Sequence, residues 1–196
     1  MKKCGKMYSL IRERLQDSIR VKQLMLENEA TQAAISKLSN EIIGTIKRGN
    51  KVVLCGNGGS AADALHFAGE IVGRFQKERN SWPAIALNSD VAVMTSIAND
   101  YGYENIFARQ VEGCIHPGDV FIGISTSGNS ENIYRAVVAA KRNGALTAAL
   151  LGNDGGKIGR EVEQPIVVPS TNTARIQESH ITLIHIICEM VERDEL

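Results

Sequence analysis

The sequence predicts an α/β fold: a three-layer α/β/α arrangement on a five-stranded parallel sheet, preceded by two N-terminal helices. Three observations predict it. Five short apolar runs between residues 51 and 168 alternate with stretches of helical periodicity, the pattern of a parallel sheet covered on both faces. The first 50 residues contain no proline and space their apolar side chains as helices do. Two of the apolar runs end in glycine- and serine-rich loops that open directly into helices.

The elements follow in order. Leu10, Ile11, Leu15, Ile19, Val21, Leu24 and Leu26 mark a first helix, and Ala33, Ile35, Leu38, Ile42, Ile43 and Ile46 mark a second over Glu29–Arg48. Gly49-Asn50 stops the second, with Lys47 and Arg48 near its negative end. Strands are predicted at Lys51–Cys55, Ala84–Leu87, Asp119–Ile124, Leu146–Leu151 and Pro165–Val168. Helices are predicted to about Gly73, near Val91–Ala98, at Glu104–Ile115, at Glu131–Asn143 and from about Ala174 to Arg193. No repeat or linker divides the 196 residues, so they read as a single domain, residues 1–196. Within it, residues 1–50 form a helical pair that serves as an oligomer interface or a lid, and residues 51–196 form a ligand-binding core.

Composition excludes several functions. Lys plus Arg balance Asp plus Glu at 22 each, which leaves no electrostatic footprint for nucleic acid or an anionic membrane. No apolar run approaches the ~20 residues that span a bilayer. Met7 to Gln23 is heavily charged, which argues against a secretory leader and for the cytoplasm. Cys4, Cys55, Cys114 and Cys188 are widely spaced and show neither C-x-x-C nor a disulfide framework. Cys55 and Cys188 fall in apolar runs and read as core residues.

The two loops share a design. Gly56-Asn-Gly-Gly-Ser60 follows the first strand, and Ser125-Thr-Ser-Gly-Asn-Ser130 follows the third. Glycine lets the backbone approach a ligand, helix starts offer unpaired N–H groups to an anion, and hydroxyls add donors for phosphate oxygens. A serine acting only as helix cap would explain one such loop. The second exceeds what a cap needs and points to a bound anion. The P-loop pattern is absent. Gly56-Asn-Gly-Gly-Ser-Ala departs from the dinucleotide fingerprint only in a tolerated alanine at its last position, but Glu78, the acidic residue about 20 positions on, lies in a polar loop rather than ending a strand. Sugar phosphate is the better ligand class.

His66 and Glu70, at i and i+4, share one face of the helix that leaves the first loop. They lie among small and apolar neighbours, where a lone charge is expensive to bury. The last helix carries Gln177, Glu178, His180 and His185 in an apolar background. A single histidine there would read as a core residue, whereas two histidines and a glutamine weaken that reading. Gln177 and His185 stand eight residues apart, about 12 Å along a helix, while His180 is closer to Gln177. Spacing does not choose between the histidines.

Gly56-Asn-Gly-Gly-Ser-Ala-Ala-Asp-Ala-Leu-His-Phe-Ala-Gly-Glu70, Ala98-Asn-Asp-Tyr-Gly-Tyr103, Ser125-Thr-Ser-Gly-Asn-Ser130 and Ala174-Arg-Ile-Gln-Glu-Ser-His-Ile-Thr-Leu-Ile-His185 resemble the sugar isomerase (SIS) domain family, whose fold is flavodoxin-like. The His-x-x-x-Glu and Gln-x7-His spacings narrow the resemblance to phosphoheptose isomerases. That resemblance covers nearly the whole chain. It implies isomerisation of sedoheptulose 7-phosphate to D-glycero-D-manno-heptose 7-phosphate through an enediol, for the heptose of lipopolysaccharide. It implies one Zn²⁺ per subunit, held by His66, Glu70, Gln177 and His185, with Glu70 and His185 moving protons. It implies substrate contacts from Asn57, Gly58, Gly59, Ser60, Glu70, Asn99, Asp100, Ser125, Thr126, Ser127, Ser130 and Gln177, with a weaker case for Arg74. It also implies a homotetramer with sites built between subunits. Two alternatives stay open: a non-catalytic SIS-domain protein regulating replication initiation, and an isomerase of another sugar phosphate.

Overall fold

A computed structural model describes residues 2–194, with side chains from residue 7 onward, so the Cys4 side chain lies outside the described residues. Two helices lead: α1 (Lys2–Glu27) and α2 (Glu29–Lys47). Then come β1 (Val52–Gly56), α3 (Gly59–Val72), β2 (Ala84–Ala86), α4 (Val91–Tyr101), a 3-10 turn at Tyr103–Asn105, and α5 (Ala108–Cys114). The rest is β3 (Val120–Ser125), α6 (Glu131–Arg142), β4 (Leu146–Leu151), α7 (Gly156–Glu161), β5 (Gln164–Val167) and α8 (Thr173–Arg193).

The five strands pair in parallel in the order β2-β1-β3-β4-β5. The winding direction reverses between β1 and β3, and open α/β sheets bind ligands at that switch point, beyond the carboxyl ends of the strands. Both glycine- and serine-rich loops leave from there.

Alternation along the strands divides the core. Val52, Leu54, Val120, Ile122, Ile124, Ala148 and Leu150 face α2, α3 and α8, which supply Leu38, Ile42, Phe67, Ile71, Leu183 and Ile187. Val53, Cys55, Phe121, Ala149 and Leu151 face the other layer, where α4 to α7 supply Ile97, Val111, Val137 and Ile158. Such strands are apolar on both faces, as a sheet covered on two sides requires. Burial pushes the Cys188 thiol up to about 12 and the Cys55 thiol higher than usual, which makes both inert core residues. No helix among the described residues is long and apolar enough to cross a membrane.

Local signals set the helix starts. The side chains of Asn28, Asp90 and Asn172 accept backbone N–H bonds from Thr31, Val93 and Ala174 at 3.2, 2.9 and 3.0 Å, which is the N-cap arrangement. Several boundaries differ from the sequence reading. Helix α4 runs on to Tyr101, and Gly102 ends it with φ 87, so Asn99 and Asp100 sit on a helical turn rather than in a loop. The helix expected at Glu104–Ile115 is divided into the 3-10 turn and α5, with Ile106 and Phe107 fully buried between them. Helix α7 was not expected: six residues are too few to display a periodicity.

Helix α1 contributes Val21 and Met25 to the core. Leu10, Ile11, Leu15, Ile19 and Leu24 are 45–65% exposed. The chain's own sheet therefore leaves this stripe uncovered.

Candidate active site

The loop after β1 is fastened from three sides. Asn88 accepts the Gly56 N–H at 3.1 Å and donates to the Gly56 carbonyl at 2.7 Å. Asn57 and Asn132 exchange amide hydrogen bonds, each 2.9 Å long. The Tyr103 hydroxyl donates to Asn57 Oδ1 at 3.0 Å. Gly58 has φ 56, a left-handed turn that suits glycine, and α3 starts one residue later.

The loop after β3 is organised by its own hydroxyls. Ser125 Oγ lies 3.2 Å from Ser130 Oγ and accepts the Gly128 N–H at 3.2 Å. Ser127 Oγ accepts the Asn129 N–H at 3.2 Å. Ser130 occupies the N-cap position of α6, yet its side chain makes no capping bond. A capped turn alone therefore does not explain this serine.

Asn57, Ser60, Ile124, Ser125, Thr126, Ser130 and Gln177 line one cavity of about 80 Å³ at the switch point. A water occupies about 30 Å³ of liquid, so the space admits a small polyatomic group, not a whole sugar. Larger hollows lie elsewhere. One of about 690 Å³ runs between α1 and residues 169–175 and is lined also by Asn153, whose Nδ2 donates to the Thr126 carbonyl at 2.8 Å.

Beside this cavity α3 and α8 pack together and assemble a second cluster. His66 Nε2 is 3.0 Å from Glu70 Oε1 and 3.0 Å from His185 Nε2. One ligand atom from each of the three side chains lies within 4.8 Å of the others. Phe75, in the segment after α3, stacks on the His185 ring at a centroid distance of 5.5 Å. Two imidazole nitrogens and a carboxylate oxygen converging in this way suit a zinc site, in which ligands at about 2.0–2.1 Å in a tetrahedron stand about 3.3 Å apart. The described residues thus offer a possible His/Glu/His metal-binding group.

Gln177 lines the small cavity and packs its amide against Gly59 at the start of α3. A Cβ on Gly59 would meet its Nε2 at 2.4 Å, so glycine at 59 is what admits the Gln177 amide. Asn99 and Asp100 are exposed and bond to each other at 2.8 Å. They are not among the residues lining the cavity. Arg74 pairs with Glu78 at 3.4 Å on the exposed surface.

His180 is a core histidine. It is fully buried and lies 3.0 Å from the Leu151 carbonyl through Nε2, which places the proton on Nε2 as donor. Burial pushes it down to about 4, against a smaller opposing effect of that hydrogen bond. Its folded value is below its ordinary one, so its contribution to stability is full above about pH 6.5 and is lost as pH falls towards 4. The loss by pH 4 amounts to about 3 kcal/mol. His180→Gln, which cannot charge, should therefore lose less stability than wild type on acidification from pH 7 to pH 4, as urea unfolding at both values would show. Equal losses would contradict this assignment.

Sequence reasoning missed Asn132, Tyr103, Phe75 and Asp63. Asn132 did leave a signal, being a polar residue in phase with Ile133, Ala136 and Ala140 on the buried face of α6. Asp63 lies one turn before His66; its Oδ2 is buried without a partner, and burial pushes its carboxyl up to about 6 against the opposing charge of His66.

A family model described as SIS domain matches residues 18–152. A phosphoheptose isomerase of Trichlorobacter lovleyi is 51% identical over 187 residues, covering 95% of this chain and 94% of that protein. The solved structure of a phosphoheptose isomerase from Francisella tularensis superposes with a TM-score of 0.92 at 34% identity, covering 96% of this chain and 99% of that one. Its counterpart from Neisseria gonorrhoeae gives 0.89 at 38% identity, covering 95% and 99%.

Proposed function

The chain belongs to the SIS-domain family and, within it, to the phosphoheptose isomerases, which makes it an aldose–ketose isomerase; we propose that its site converts sedoheptulose 7-phosphate to D-glycero-D-manno-heptose 7-phosphate in heptose biosynthesis. One observation carries this reading. Helix α3 lines the small polar cavity at Ser60 and carries His66 and Glu70 further along the same rod, about 9 and 15 Å on. The substrate has the same polarity, with phosphate at one end and the reacting carbons C1 and C2 at the other. The phosphate is held by Ser60, Ser125, Thr126, Ser127 and Ser130 with the N–H groups of Gly58 and Gly59, at the positive end of α3.

Asn57 and Gln177 orient the sugar chain between the two ends. Asn99 and Asp100 are kept as substrate contacts on family membership alone. Glu70 takes a proton from one of the two reacting carbons and returns it to the other, through an enediol. His185 exchanges protons with the sugar oxygens. The metal is one zinc ion per subunit, held by His66, Glu70 and His185 with Gln177 as fourth ligand. When bound, zinc supplies a Lewis acid that polarises the sugar carbonyl and offsets negative charge on the enediol.

Incubation of the zinc-loaded protein with sedoheptulose 7-phosphate, followed by chromatography of the aldose product, tests the reaction. Absence of the aldose would overturn the reading. Ser125→Ala, Ser127→Ala and Ser130→Ala should each raise KM about tenfold or somewhat more while changing kcat less, because a hydrogen bond to a charged group contributes about 1.5–3 kcal/mol. Unchanged KM in all three would show that the loop is a turn and nothing else.

The enzyme works as a cytoplasmic homotetramer of D₂ symmetry. The uncovered row from Leu10 to Leu24 supports this, since an apolar stripe of that length needs a cover.

A further inference from the structure

We propose that Glu192 is a positioning residue for the metal-binding cluster, acting through Arg79 and Phe75 to hold the His185 imidazole against His66. This rests on the reading of His66, Glu70 and His185 as one site.

Glu192 lies on α8 two turns beyond His185, and its side chain is only 3% exposed. Each carboxylate oxygen accepts two hydrogen bonds. Oε1 receives the Phe75 N–H at 2.6 Å and Arg79 Nε at 3.0 Å; Oε2 receives the Gln76 and Lys77 N–H groups at 2.7 and 2.9 Å. Three consecutive backbone amides and a guanidinium thus close on a single carboxylate. Arg79 in turn donates to the Glu70 carbonyl at 2.8 Å and to the Asn80 carbonyl at 3.0 Å. Its guanidinium lies 3.5 Å over the Trp82 ring.

This arrangement ties together the two helices that carry the cluster. Arg79 grips the main chain of Glu70 near the end of α3, while Glu192 belongs to the helix that carries His185. The same carboxylate fixes the backbone of Phe75, whose ring stacks on His185 at 5.5 Å with an interplanar angle of 26°. His185 makes its described polar contact with His66 through Nε2, at the edge of the ring. Its orientation is therefore set between the Phe75 ring and the cluster. A buried charge held in this way is replaceable by an apolar group for stability alone, whereas loss of one partner strands the other. Outer partners that orient a metal ligand typically alter metal affinity or activity about 10–100-fold when removed.

The test compares wild type with Glu192→Gln and Phe75→Leu. The chain has four histidines, so the imidazole protons of the metal-free protein give a sparse NMR spectrum in which stacking on Phe75 displaces the His185 signals. In Glu192→Gln that displacement should diminish, zinc affinity measured by chelator competition should fall about 10–100-fold, and kcat should fall with KM held within about threefold. Phe75→Leu should reproduce all three changes with the ion pair intact, and it decides the matter if Glu192→Gln does not fold. Unmoved His185 signals together with zinc affinity within twofold of wild type, in Glu192→Gln or in Phe75→Leu, would overturn the proposal. A wild-type protein inactive on sedoheptulose 7-phosphate would instead overturn the proposed reaction, while the His185 signals would still judge the role of Glu192.

Discussion

Glu70→Gln should lower turnover of sedoheptulose 7-phosphate by about 10²–10⁴-fold, the range that a positioned general base contributes. The substitution keeps the shape of the side chain, which is partly buried and 3.0 Å from His66, so the fold should persist and KM should change little. The amide cannot take a proton from carbon, and that defect appears in kcat. His185→Ala should fall in the same range, because it removes a proton-exchanging group and one of the three converging ligand atoms. His180→Ala is the control: that ring faces the Leu151 carbonyl in the core, so stability should suffer more than turnover. Near-wild-type turnover in Glu70→Gln or His185→Ala would remove that residue from the chemistry.

Deletion of residues 1–28 should dissociate the assembly and abolish activity, although every proposed ligand lies downstream. The deletion also strips Val21 and Met25 from the chain's own core, so a second variant separates the two effects. Leu15→Glu with Ile19→Glu leaves those contacts in place and alters side chains that are 61% and 65% exposed. Burying a Leu or Ile contributes about 1.5–3 kcal/mol, so replacing two such contacts by carboxylates should weaken assembly by about a hundredfold or more. Light scattering reads the assembly and the isomerase assay reads the consequence. A monomeric, fully active intact protein would contradict the tetramer.

The sequence carried the layout of the sheet because the central strands β1, β3 and β4 are buried on both faces and show as short apolar runs. It carried the two loops because glycine and serine gather where backbone must approach an anion. His66 and Glu70 were legible because the i, i+4 spacing is local. Pairing with His185 was not, since it joins positions 119 apart, and spacing left His180 equally eligible; resemblance made that choice, and the structure then showed His180 bonded to Leu151 in the core. The contacts around Glu192 span 113–117 positions and leave only one trace, an acidic residue in phase with buried Cys188 and Val191. The Leu10–Leu24 stripe was legible as apolar, but periodicity does not say whether the chain covers it, and its residues are 45–65% exposed.

The central claim is that Glu70 carries a proton between two carbons by way of an enediol, and isomerisation in D₂O tests it most directly. Glu70 is partly open to solvent, with 21% of its side chain exposed, so a proton held there exchanges before it is returned. The aldose formed by the wild-type protein should carry deuterium at C2, detected by mass spectrometry and by loss of the C2 proton signal in NMR. An aldose formed at full rate with no deuterium at C2, as a direct hydride shift would leave it, would contradict the account.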